Sequence, residues 1–151
     1  MTQSMPTTAA PVVRRANEHD AHAVLALLSQ LGPQFAPDPD VFHAAYSDVM
    51  AQGDDNLLFV ADLGDAVVGY ALATIARLFF TNGDSAQIHE LVVDDGARGR
   101  GVGSLLVSAI ENECRARGVK QLTVATLRSA AFYERLDYRS TADFLKKRFD
   151  E

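Results

Sequence analysis

Residues 98 to 104 read Arg-Gly-Arg-Gly-Val-Gly-Ser, with glycine at every second position and arginine ahead of each of the first two. An apolar, β-like run, "ELVVDD", precedes the stretch, and a pattern of helical period follows it. At a strand-to-helix junction of this kind, unpaired amide N–H groups and the helix dipole both favour an anion. Glycines let that anion reach the backbone with no β-carbon in the way. Two guanidinium groups, each a forked donor, suit a phosphate. Arg98, Gly99, Arg100, Gly101, Val102, Gly103 and Ser104 together have the chemistry of a pyrophosphate cradle.

Two familiar phosphate loops do not fit. A P-loop ends in Gly-Lys-Ser/Thr, whereas this loop ends in Gly101-Val102-Gly103-Ser104. The dinucleotide fingerprint needs a further glycine where Ser104 stands, and it needs a parallel βαβ unit. The segments before the loop read instead as antiparallel hairpins.

The elements that must carry the cradle follow from hydrophobic period. "PVVRRA" reads as a first strand. Asn17 is a helix N-cap, followed by an apolar face at Ala21, Val24, Leu25, Leu28 and Leu31 that stops at Gly32-Pro33. A second helix runs through "DPDVFHAAYSDVM" with Val41, Phe42, Ala45 and Val49 inward. "NLLFVADL" and "AVVGYALATIAR" form a hairpin about Gly64-Asp65, and "AQIHELVV" is the strand entering the cradle. The helix after it turns Val102, Leu105, Leu106, Ala109, Ile110 and Glu113 or Cys114 inward. "KQLTVAT" is a strand, "SAAFYERL" a short helix, and "DYRS" and "ADFLKKRF" are closing strands. The order is β-α-α-β-β-β-α-β-α-β-β, a mixed α/β (α+β) fold on a mostly antiparallel sheet.

Whole-chain properties bound the function. At 151 residues the chain suits one domain, read as residues 11–151 behind a disordered tail at 1–10. The net charge of −6 argues against a nucleic-acid binder that neutralises phosphates with a basic face. One cysteine, Cys114, allows no internal disulfide and no thiolate metal cluster, so no metal is expected. No signal-like start and no membrane-length apolar run are present, which points to the cytoplasm and away from a membrane.

Arg98-x-x-Gly101-x-Gly103, after "ELVVDD" and opening an amphipathic helix, resembles the pyrophosphate loop of the GNAT acetyltransferase superfamily. "AAFYERLDY" resembles that family's late "FYE-x-L-Gly-aromatic" segment, and the element order is similar to the family's. The resemblance implies a sheet splayed at the cofactor site, acetyl-CoA as donor and a primary amine as acceptor, with no covalent enzyme intermediate. Leu91, Val92 and Val93 would then pair through their backbone with the pantetheine arm, as a strand adds to a sheet edge. A backbone N–H near Val93 would steady the oxyanion, and Tyr133 stands where similar enzymes carry the acid that protonates the sulfur. An acyl-CoA-binding relative without turnover is the alternative. A homodimer is common among relatives.

The base has two candidates, His89 and Glu90, which simple strand alternation places on opposite faces. His89 shares a face with Leu91 and Val93 unless a bulge intervenes, while Glu90 stands in an "E-L-x-V" context common in the family. Two departures from the family pattern stand out. Asp137 replaces the glycine before the aromatic, and aspartate tolerates a left-handed backbone better than most residues. Thr126 replaces an asparagine that in many relatives contacts the pantetheine arm.

Overall fold

The computed structural model describes residues 10–150. The disordered tail expected at 1–10 lies, but for Ala10, outside them. Five strands lie side by side in chain order: β1 (Val12–Arg15), β2 (Asn56–Asp62), β3 (Val67–Leu78), β4 (Gly83–Val93) and β5 (Gln121–Val124). Neighbours from β1 to β4 are antiparallel, and β4 and β5 run parallel. Helices α1 (Ala21–Leu28) and α2 (Pro39–Ala51) precede β2. Helix α3 (Val102–Ala116) joins β4 to β5, and α4 (Ala130–Glu134) follows β5. Among the described residues no helix is long and apolar enough to cross a membrane.

The sheet buries a core on each face, and β2 shows how one strand feeds both. Leu57 and Phe59 pack toward α3, whereas Leu58 and Val60 pack toward α1 and α2. Helix α3 offers Val102, Leu106, Ile110 and Cys114, one turn apart, to its core. Leu105, expected inward, is 42% exposed, and Val107 is buried in its place. In α2 the inward row is Phe42, Tyr46, Val49 and Met50, so Val41 lies outside it and faces solvent. Tyr46 sends its hydroxyl to the Asn17 carbonyl at 2.6 Å.

Asn17 caps a short 3-10 turn, Glu18–Asp20, that leads into α1. Its side chain accepts the His19 N–H and its own N–H donates to Asp20, each at 2.8 Å. Asp20 also takes both arms of the Arg14 guanidinium, at 2.8 and 2.9 Å, which pins β1 to the helix start.

The two closing strands expected at 137–140 and 142–149 do not form; among the described residues no strand follows β5. Asp137 and Tyr138 instead finish α4, the Tyr138 N–H donating to the Tyr133 carbonyl at 3.0 Å. Beyond them, adjacent Phe144-Leu145 and the run Lys146-Lys147-Arg148 destroy the alternation that gives a strand one buriable face. Phe144, Leu145 and Phe149 are 71%, 90% and 93% exposed.

Candidate active site

Strands β4 and β5 pair only where Ser85–Ile88 meets Gln121–Val124. Past Ile88, β4 runs on to Val93 without β5 beside it, so the sheet opens and leaves a free backbone edge. On its other edge β4 bulges at the same place. Leu72 opposes Glu90 and Ala73 opposes Ile88, which leaves His89 as the extra residue.

The bulge changes which way the following side chains point. Leu91 and Val93 join Ile88 on the α3 side, whereas Val92 packs with Tyr70 toward α1. The Tyr70 hydroxyl donates to Glu90 Oε1 at 2.6 Å, and His89 Nε2 lies 2.7 Å from Thr74 Oγ1. Tyr70 and Thr74 stand four apart on β3 and therefore share a face. The opposite-face expectation for His89 and Glu90 is thus corrected: both stand on the α1–α2 side. Burial first, then the Glu90 charge, raises the Tyr70 phenol far above its ordinary range, so it remains a donor.

The cradle begins at Asp94, whose N–H donates to the Val68 carbonyl at 2.8 Å and whose carboxylate accepts the Gly96 N–H at 3.0 Å. Gln30, in the turn after α1, clamps this entrance from both sides. Its amide donates to Asp94 Oδ1 at 2.7 Å and accepts the Asp95 N–H at 3.0 Å. Arg98 and Arg100 are exposed, Arg98 pairing with Asp95 at 3.3 Å.

The three glycines have different physical reasons. Gly99 and Gly101 adopt φ of 81° and 77°, and a β-carbon on either would meet nothing within 4 Å. The backbone conformation alone requires glycine there. Gly103 has no left-handed φ, but a β-carbon on it would sit 3.2 Å from Phe132 Cζ and 3.8 Å from Val93 Cγ2. Its glycine lets α3 pack against α4 and the end of β4. The N–H groups of Val102, Gly103 and Ser104 lie in the first turn of α3, beyond reach of an intrahelical carbonyl. Among the described residues no side chain caps that turn at Gly101.

Tyr133 is buried, with edge contacts to Phe132 at 4.9 Å and Tyr138 at 5.6 Å. Burial raises its pKa, and among the described residues nothing hydrogen-bonds its hydroxyl. Thr126 Oγ1 is engaged by the Ser129 N–H at 2.9 Å, at the approach to α4. Cys114 is buried, and burial pushes its thiol up, which makes it a poor nucleophile. The bulge allowed for on this strand falls at His89, and the Gln30 clamp is the part of the site that sequence reasoning did not supply.

These features meet a known pattern. The Acetyltransferase (GNAT) family model matches residues 22–138. Glucosamine 6-phosphate N-acetyltransferase 1 of Oryza sativa subsp. japonica is 28% identical over 91% of this chain and 93% of that protein. Probable glucosamine 6-phosphate N-acetyltransferase 2 of the same plant is 32% identical over 91% of this chain and 92% of its own length. Among solved structures, a transcriptional regulator from Bacillus halodurans C-125 superposes with a TM-score of 0.83 at 25% identity, over 92% of this chain and 99% of that one. The glucosamine-6-phosphate N-acetyltransferase from Arabidopsis thaliana superposes at 0.81 with 21% identity, over 93% and 99%, a likeness of fold. The chain belongs to the GNAT acetyltransferase family, and it is an acetyl-CoA-dependent N-acetyltransferase.

Proposed function

We propose that the chain moves the acetyl group of acetyl-CoA to the amino group of glucosamine 6-phosphate, or of a phosphorylated amino sugar much like it. The observation that carries this reading is the agreement of three relatives, in rice and Arabidopsis, whose names all give that acceptor. Their matches run over 91%, 91% and 83% of this chain.

In this reading the amides of residues 98–104 hold the pyrophosphate, and Arg98 and Arg100 add positive charge at its rim. The free edge of β4 from Leu91 to Val93 takes the pantetheine arm as an added strand. Glu90 draws a proton from the sugar ammonium, directly or through a water, and the amine lone pair attacks the thioester carbon. A backbone N–H near Val93 steadies the oxyanion as charge builds. The C–S bond then breaks, the departing thiolate takes the proton of the Tyr133 hydroxyl, and the second proton of the acylated nitrogen returns to the tyrosinate.

Two observations support these roles. Burial keeps the Tyr133 phenol protonated at neutral pH, and no described residue competes for its proton. Glu90 is half-buried and gripped by Tyr70, whereas the His89 ring is exposed beside Thr74, which favours Glu90 over His89 as the base.

Thiol release from acetyl-CoA, compared between glucosamine 6-phosphate and glucosamine, tests the acceptor. Losing charge-assisted contacts to the phosphate should lower kcat/KM by about tenfold or more for the unphosphorylated sugar. Equal rates with the two sugars would overturn the phosphate part. No turnover of either, by protein that acetyl-CoA stabilises against heat, would overturn the sugar.

A further inference from the structure

We infer that Tyr70 is a positioning residue for the transfer: by gripping Oε1 of Glu90 it turns Oε2 into the oxygen that takes the acceptor's proton. The inference rests on Glu90 serving as the base.

The geometry is specific. Tyr70 is 1% exposed and packed among Val24, Leu27 and Val92, so its ring is fixed by the α1–α2 core. Its hydroxyl therefore presents one donor at one place. The 2.6 Å separation from Glu90 Oε1 is that of a short, charge-assisted O–H···O⁻ bond. Oε2 has no partner among the described residues. No fully buried side-chain oxygen there lacks a partner either, so Oε2 is open to solvent.

A carboxylate on a strand ordinarily rotates about its side-chain bonds. Fixing one oxygen fixes the plane of the group and hence the direction in which the other oxygen accepts. The register makes the grip possible: Tyr70 opposes Val92, and it reaches Glu90 on the diagonal, two residues back along β4. Without the bulge at His89, Glu90 would lie on the other side of the sheet from Tyr70. In the step itself one proton leaves the ammonium nitrogen for Oε2. Tyr70 donates a hydrogen bond throughout and keeps its own proton.

Tyr70→Phe removes the grip and leaves the ring in its core. Expected is a loss in kcat on the order of tenfold, with the KM for acetyl-CoA within about twofold of wild type. The acceptor is glucosamine 6-phosphate, and thermal stabilisation by acetyl-CoA serves as the folding control. Combined with Glu90→Gln, the two losses in kcat should be far from additive, since both act through one carboxylate. A kcat for Tyr70→Phe equal to wild type, beside a large loss in Glu90→Gln, overturns the inference and leaves the base standing. Wild-type kcat in Glu90→Gln overturns the base and the inference with it. One readout needs no acceptor. In ¹³C-glutamate-labelled protein the Glu90 carboxyl resonance, assigned through Glu90→Gln, moves on Tyr70→Phe if the grip exists. An unmoved resonance refutes it.

Discussion

Alanine at Gly103 and alanine at Gly101 should fail in different ways, and the difference can be worked from the packing. At Gly103 the new β-carbon would stand 3.2 and 3.4 Å from two carbons of the Phe132 ring. Comfortable carbon contacts begin at about 3.5 Å, so the ring must retreat by a few tenths of an ångström. Overpacking of this kind costs about 1–3 kcal/mol, and replacing glycine by alanine in a helix returns about 1 kcal/mol. The net is a destabilisation of roughly 0–2 kcal/mol, or up to about 8 °C in Tm for a chain of this size. Phe132 stands edge-on to Tyr133 at 4.9 Å, so its retreat disturbs the group assigned as the acid. Gly103→Ala should therefore lower kcat more than it raises the KM for acetyl-CoA. At Gly101 no atom is close, but φ is 77°, which costs an L-residue about 1–2 kcal/mol or forces the loop to another shape. Gly101→Ala should raise the KM for acetyl-CoA and reduce its thermal stabilisation, with Tyr133 undisturbed. Thermal unfolding with and without acetyl-CoA, beside steady-state thiol release, reads both variants. If Gly103→Ala is stabilised by about 1 kcal/mol with unchanged kcat, the Phe132 ring yields freely and the reasoning fails. The same pattern from both variants would refute the division of labour between the two glycines.

Two further predictions concern the frame. Asp137 holds φ at 71° where α4 stops, so Asp137→Gly should raise Tm by about 1–3 °C and Asp137→Val should lower it by about 3–6 °C. A clear loss of Tm in Asp137→Gly would sink the helix-stop account. The Asp20 carboxyl is held below its ordinary value, chiefly by hydrogen bonds from Arg14. Its contribution is complete above an unfolded pKa of about 3.9 and drains away as pH falls through the lower folded value. Asp20→Asn should accordingly flatten the fall of Tm as the pH drops below roughly 4. A slope as steep as that of wild type would show that Asp20 does not carry it.

What the sequence disclosed was what depends on neighbours along the chain. The loop at Arg98–Ser104, the helix behind it and the left-handed stop at Asp137 are local events, set by glycine, aspartate and hydrophobic period. The Gln30 clamp joins residues 64 and 65 positions apart, and no local pattern marks one glutamine among others for that task. The segment after Tyr138 misled for the opposite reason. Phe144 and Phe149 have strand-forming side chains and Leu145 is apolar, but strand propensity needs a face to bury. With Lys146, Lys147 and Arg148 between them, neither face of that segment is apolar.

The bulge at His89 is the instructive case: it could be allowed for but not located, because one extra residue has no signature in the β4 sequence yet decides the layout of the site. Its existence is a matter of register against β3, where Leu72 meets Glu90 and Ala73 meets Ile88. Were β4 regular, Glu90 would follow Ile88 onto the face covered by α3, among Val102, Leu106 and Ile110. An ionised carboxylate there, with no partner, costs several kcal/mol. Leu91 and Val93 would be turned to the other face in exchange. The extra residue puts the carboxylate beside Tyr70 and returns the two apolar side chains to the α3 core. It does so where β5 leaves β4, so the free edge and the carboxylate begin at one point in the sheet. The opening proposed for the donor and the carboxylate proposed as base thus meet at one point of the sheet, the first where β5 ends and the second through the bulge. A regular strand could give the free edge, but it could not set Glu90 on the face opposite α3.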